Sequence, residues 1–285
     1  MSFDVALLGI DGIGKSSVAE ALAGELRRRG FEVTITSWRA HLRGGRSGRG
    51  GEALHAAYDA MFRSVYAACL GPDGESAERL LPRLGEDLAG GDPGRLGDPD
   101  ADVALDPRHP AAFLAAGLME TAARLIERDF VIAPALARGE VVIQESHGFK
   151  NILKMGVYAR VLSPGAGPAL GEYFSFAHRC LSRWAPPAQS VVLRGDPRLA
   201  YSRRLEQRGR IPRGEHAGIG GEPAEASFVE LQSGVQAELL AIAAAEGLPC
   251  VEMGGGTREE NVAEAVRVTL RALAGRNLLP EDMAV

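Results

Sequence analysis

Lysine, cysteine and long apolar runs are all scarce in this 285-residue sequence. The three cysteines, Cys69, Cys180 and Cys250, are far apart and odd in number. They make neither a disulfide framework nor a zinc ligand set, so a reducing cytoplasm is the expected home. No uncharged run approaches the ~18 residues that a membrane span needs, and Ala111–Met119 and Leu239–Ala245 come nearest. An excess of basic charge is missing too. The net charge of −5 argues against a constitutive nucleic-acid binder, whose footprint is usually basic. Met1–Leu8 is short, contains Asp4 and has no basic leader, and reads as a buried strand rather than a signal peptide. Glycine and proline, by contrast, number 36 and 16, so long irregular segments are expected. With 46% hydrophobic residues the chain can bury a sizeable core. No repeat or linker divides it, and residues 1–285 read as one domain with insertions.

Phe3–Leu8 reads as a buried strand, Gly9–Gly14 as a glycine-rich turn, and Val18, Ala19, Leu22, Ala23 and Leu26 form one helical stripe from Lys15 onward. Arg27, Arg28 and Arg29 suit the carbonyl end of that helix, Gly30 its left-handed cap, and Phe31–Thr36 alternates as a second strand. This strand–helix–strand unit implies a parallel sheet with covered faces. Beyond it, Arg39–Pro110 is expected to be a long insertion, helical over Glu52–Leu70 and least structured over Gly71–Pro110, where ten acidic residues face four arginines. Further helices are expected over Ala111–Arg128, Ile132–Ala137, Leu170–Arg183, Pro197–Arg208, Ala224–Glu246 and Arg258–Leu273. Val141–Gln144, Ser190–Arg194 and Pro249–Met253 read as strands.

The chemistry is concentrated in Gly9-Ile10-Asp11-Gly12-Ile13-Gly14-Lys15-Ser16, which satisfies G-x-x-x-x-G-K-[ST]. In that pattern glycines turn backbone N–H groups inward on the β- and γ-phosphates, the lysine reaches the same oxygens, and the serine hydroxyl joins a Mg²⁺ shell. With Lys15, Lys150 and Lys154 the only lysines, a chance match is improbable, and the required strand-before and helix-after context is present. Gly9, Asp11, Gly12, Ile13, Gly14, Lys15, Ser16 and Ser17 are therefore the candidate ATP-binding residues. The base-reading N-K-x-D of GTPase switches is absent.

The sequence resembles the thymidylate kinase family of nucleoside-monophosphate kinases. The likeness begins in G-I-D-G-I-G-K-S, continues through Ile132–Glu145 and returns in Leu193–Gly209, with Phe228 opening a helix after the lid. It omits roughly Arg39–Pro110 and Gly156–Gly171. The resemblance implies an α/β P-loop NTPase fold: three αβα layers, a central, mainly five-stranded parallel sheet, an arginine-rich lid at about 203–223, and the long insertion at about 39–110. It implies ATP and Mg²⁺ as cofactors, γ-phosphoryl transfer to a nucleoside monophosphate or nucleotide-like acceptor, and a homodimer.

Position by position, Glu145 falls on the family's aspartate, where a carboxylate organises Mg²⁺ together with Ser16 or takes the acceptor's proton. A helix cap or surface acid is the alternative. Arg124 falls on the arginine holding the acceptor's phosphate, against a solvated arginine on a helix face. Asp11 faces the reacting centre or the acceptor sugar, with a structural role in the turn as the alternative, and Arg39 lies near an acceptor-binding arginine. Among the lid arginines, Arg204 and Arg208 are the catalytic candidates alongside Lys15, with salt bridging as the alternative for each. The family's Asp-Arg-Tyr/His motif is here Glu145-Ser146-His147, and Phe149–Met155 replaces the thymine-cradling segment. Lys150 and Lys154 in that segment suit an anionic acceptor, or else are exposed helix charge. Two other functions stay open: a kinase of a hydroxyl on a nucleoside or small metabolite, and a non-catalytic nucleotide-binding module.

Overall fold

The computed structural model describes residues 1–37, 50–71, 73–80, 103–145, 147–211, 213–218 and 224–280. Its centre is β1 (Asp4–Gly9), whose six residues are all buried. A strand buried on both faces needs neighbours on both edges, and β1 has them. On one side β5 (Val141–Gln144) pairs in parallel, with Val5 opposite Ile143, and β2 (Val33–Thr36) follows it. On the other side β6 (Gln189–Arg194) pairs with Leu7 opposite Val191, and β7 (Cys250–Glu252) closes the sheet. The order β2-β5-β1-β6-β7 is a five-stranded parallel sheet. A two-stranded antiparallel pair, β3 (Cys69–Leu70) and β4 (Ala104–Leu105), lies apart from it.

Helices flank the sheet, an arrangement compatible with three αβα layers. On one side α1 (Lys15–Arg28) packs against α9 (Arg258–Gly275), and α9 touches β6 and β7. α5 (Phe149–Leu162) and α8 (Ala224–Glu246) pack on each other and on β1, and α8 also on β6. Outside them lie α2 (Gly51–Ala67), α3 (Pro110–Glu127) and α6 (Gly167–Trp184). α7 (Pro197–Arg208), capped by Asp196 with proline at its start, rests on α8. Side chains from all these elements join one continuous apolar core.

Most boundaries agree with the sequence pattern to within a few residues. Three differ for visible reasons. The expected break between Ala111–Arg128 and Ile132–Ala137 is instead a π-helical turn, Arg128–Ile132, joining α3 to α4 (Ala133–Ala137). Pro134 has no N–H for the carbonyl of Phe130, and a wider turn accommodates its ring without ending the helix. α5 was not expected. Its apolar residues are spread round the helix, and Gly156 sits where an added Cβ would lie 2.2 Å from the ring of Phe174 on α6. Within the expected insertion, α2 is the helix expected over Glu52–Leu70, ending at Ala67, and a 3-10 turn (Ala77–Leu80) and β3–β4 are ordered elements that the sequence did not mark, while 38–49, 72 and 81–102 lie outside the described residues. Among the described residues no helix is long and apolar enough to cross a membrane.

Candidate functional site

The connections from β1 and β5 leave neighbouring strands and run to opposite sides, β1 toward β2 and β5 past β1 toward β6. Ligands of open parallel sheets bind outside the carboxyl ends of strands at such a reversal. Here that crevice holds the glycine-rich turn after β1 and Glu145 directly after β5. A pocket is lined there by Asp11, Gly12, Gly14, Lys15, Ser16, Ser17, Ser37, Glu145, Lys150, Arg204, Gln207 and Arg258.

The turn needs its glycines. Gly12 has φ +78, and a Cβ on it would stand 2.4 Å from the carbonyl oxygen of Ala200, so any side chain would push α7 away. Gly14, at φ 110, launches α1 without a capping side chain. The first N–H groups of that helix therefore face the pocket without a side-chain acceptor, in the positive field of the helix end. Lys15 folds back over the turn, its Nζ donating to the carbonyls of Gly9 at 2.9 Å and Ile10 at 2.7 Å. Burial lowers its pKa, with Arg204 adding to the effect and Asp11, Glu145 and Glu215 opposing it. An under-solvated ammonium of this kind gains from an incoming anion. The Ser16 hydroxyl donates to Glu145 Oε1, which brings the two proposed metal-binding oxygens together.

Asp11 is the electrostatic hub. It accepts from Lys150 Nζ at 2.6 Å and Lys154 Nζ at 3.3 Å, so all three lysines of the chain converge on this corner. Burial alone would raise the Asp11 carboxyl, but Lys150, Lys154, Lys15 and Arg204 together hold it well below the usual carboxylate range. Lys150 bears the reverse of that crowding. Burial, with Lys154 and Lys15 beside it, pushes it down to about 7 against the pull of Asp11. Lys150 and Lys154 are 4% and 9% exposed, so the reading of them as solvated helix charge is corrected. They sit one turn apart on α5, whose inward face carries both.

Arg204, on α7, lines the pocket and is held by Glu215, with Nε donating at 2.6 Å and Nη2 to the second oxygen. Arg208, half-buried at the end of α7, does not line the pocket. Arg124 is also elsewhere. It is 3% exposed, which corrects the reading of it as a solvated arginine. Its guanidinium donates to Glu120 at 3.1 Å and pairs with Glu127 and the Tyr58 hydroxyl, so each of its three nitrogens has a partner inside the protein. His147, buried near Arg124, is pushed down to about 4, mainly by burial and further by Arg124, and is neutral at physiological pH. Arg39 and Ser146 lie outside the described residues.

Four contributors were not singled out from the sequence. Arg258, the first residue of α9, donates to the Ser17 hydroxyl at 2.8 Å and adds a second arginine to the pocket lining. Gln207, on α7 with Arg204, lines the same pocket, Glu215 fixes Arg204, and Gln232 on α8 hydrogen-bonds Asp11. A signal for Gln232 existed: it is the polar member of the buried stripe Phe228, Leu231, Gln232, Val235, Leu239. Nothing local marked the others. No protein-family model matches the chain, and no curated protein matches it.

Proposed function

We propose that this chain is an ATP-dependent phosphotransferase of the thymidylate kinase-like type, passing the γ-phosphoryl group to a nucleotide or nucleotide-like acceptor. The observation that carries the reading is the convergence of Lys15, the Ser16–Glu145 pair and Arg204 around an uncapped helix start at the carboxyl edge of a parallel sheet. Phosphoryl transfer asks the protein mainly for positioning and for positive charge around the migrating group. The glycine turn and the α1 amides would grip the triphosphate tail. Lys15 would exchange two carbonyls for phosphate oxygens, and Arg204 and Arg258, which both line the pocket, would add positive charge beside the phosphates.

Ser16 and Glu145 are hard oxygen donors of the kind Mg²⁺ takes beside substrate phosphates, so this donor set fits that metal. Bound there, Mg²⁺ would neutralise charge on the β- and γ-oxygens. Asp11 and Lys150 form the side from which an acceptor approaches, and Lys150 offers it a charge-assisted donor.

A second reading, phosphorylation of a hydroxyl, is favoured by the burial of Arg124 and its engagement with Glu120, Glu127 and Tyr58, which turn it to partners inside the protein and away from the pocket. Incubating the purified chain with Mg·ATP and paired acceptors, each nucleoside beside its monophosphate, separates the two. A diphosphate product from the monophosphates alone is expected. A monophosphate from the nucleosides supports the second reading, and ADP release that no acceptor stimulates counts against both.

A further inference from the structure

Gln232 is fully buried on α8, 221 residues away from Asp11 in sequence, yet it touches both the glycine turn and the segment that anchors Arg204. Its Oε1 accepts from the Asp11 N–H at 3.0 Å. Its Nε2 donates to Asp11 Oδ2 at 3.2 Å and to the Glu215 carbonyl at 3.0 Å. Both amide hydrogens and one lone pair are thus committed. A flipped amide would set its oxygen against a carboxylate and a carbonyl and its NH₂ against an N–H, so the network admits one orientation. Glu215 in turn holds the Arg204 guanidinium with both carboxylate oxygens.

We propose that Gln232 is a positioning residue that locks the register between the Asp11 turn and Arg204, so that the turn and the arginine present themselves to a ligand as one rigid unit. Two consequences follow. The Asp11 N–H, turned to Gln232, is withheld from the anion, which concentrates phosphate binding on the amides that come after it. Arg204, reached through Gln232 and Glu215, is held in place relative to Asp11 without touching the turn itself. A side chain that aligns one group against another acts on the transition state more than on ground-state binding. The kinetic part of this inference rests on the phosphotransfer reading, whereas the mechanical part does not.

The test uses the full chain carrying Gln232→Leu and, as a near-isosteric second variant, Gln232→Glu. In Gln232→Leu, amide-hydrogen exchange in residues 9–15 and in residues 203–211 should accelerate together, at least tenfold, while exchange in β5 and α9 stays unchanged. With Mg·ATP, kcat should fall at least thirtyfold and the Michaelis constant for ATP should move less than threefold. Gln232→Glu can donate to Asp11 only when protonated. Its kcat relative to wild type should therefore climb at least fivefold from pH 8 to pH 6, a profile that a purely structural role would not produce. Exchange that accelerates in only one of the two segments, or a Gln232→Glu profile parallel to wild type, overturns the proposal. If wild-type protein consumes no ATP, the exchange result still decides the coupling, and the phosphotransfer reading falls by itself.

Discussion

Asp11→Asn removes one charge from the centre of the pocket while keeping its shape. Asp11 is 8% exposed and faces Lys150 at 2.6 Å and Lys154 at 3.3 Å. Two unit charges about 4 Å apart attract by about 4 kcal/mol at an effective dielectric of ~20. Deleting one member of a buried pair costs about 3–5 kcal/mol. Lys150 has an escape, because it stands at about 7 already and falls further without Asp11, shedding its proton rather than remaining a buried cation. Linkage then fixes the sign. The depressed Asp11 carboxyl contributes its stability above the ordinary aspartate pKa near ~4 and loses it only as pH falls through its own lower value. At pH 6 both charges of the wild-type pair are present, and the substitution should cost about 3 kcal/mol. At pH 8.5 Lys150 is mostly neutral in both proteins. The long charged hydrogen bond to Lys154, with the pull of Lys15 and Arg204 behind it, then separates them, worth roughly 1.5 kcal/mol. At about 2–4 °C per kcal/mol for a chain of this size, the melting gap should be about 6–12 °C at pH 6 and about half that or less at pH 8.5. Thermal unfolding followed by circular dichroism at the two pH values reads this directly. A gap under 2 °C at pH 6, or one that does not narrow at pH 8.5, refutes the electrostatic hub.

Two further substitutions probe neighbouring parts. Glu145→Gln keeps a hydrogen-bonding oxygen near Ser16 but removes the charge, and it should lower turnover by about 10²–10³-fold. Calorimetric ATP affinity should change less than threefold, and equal losses in both would make Glu145 a binding or folding residue. Arg124→Met leaves Glu120 and Glu127 buried without their shared cation, and it should destabilise the chain by about 3–5 kcal/mol in urea unfolding. A wild-type midpoint would show that the buried ion cluster does not hold α3 in place.

The parts of the site that were legible in the sequence are the local ones. The turn announces itself through Gly9, Gly12, Gly14, Lys15 and Ser16, because its positive-φ backbone demands the glycines and the proposed phosphate grip would use the lysine and serine beside them. The apolar runs of β1 and β5 and the stripe of α1 marked their burial equally well. Lys150 and Lys154 were harder to place, since a lysine is rarely buried unless paired and the pairing partner is more than 130 residues away in the loop. Arg124 shows a signal that was present but ambiguous. Glu120, Arg124 and Glu127 stand at i−4, i and i+3, a spacing that puts all three on one helix face, but only packing decides whether that face meets water or a core. Glu215, Gln232 and Arg258 come from three separate elements, and the folded chain alone brings them to the turn.

Calorimetric titration with Mg·ATP, run on wild-type chain and on Lys15→Ala side by side, tests nucleotide gripping by the glycine turn most directly. A saturable one-to-one heat in the wild type, lost in a Lys15→Ala protein that melts at the same temperature, is the expected result. No heat from the wild type, or the same binding in both proteins, would contradict it.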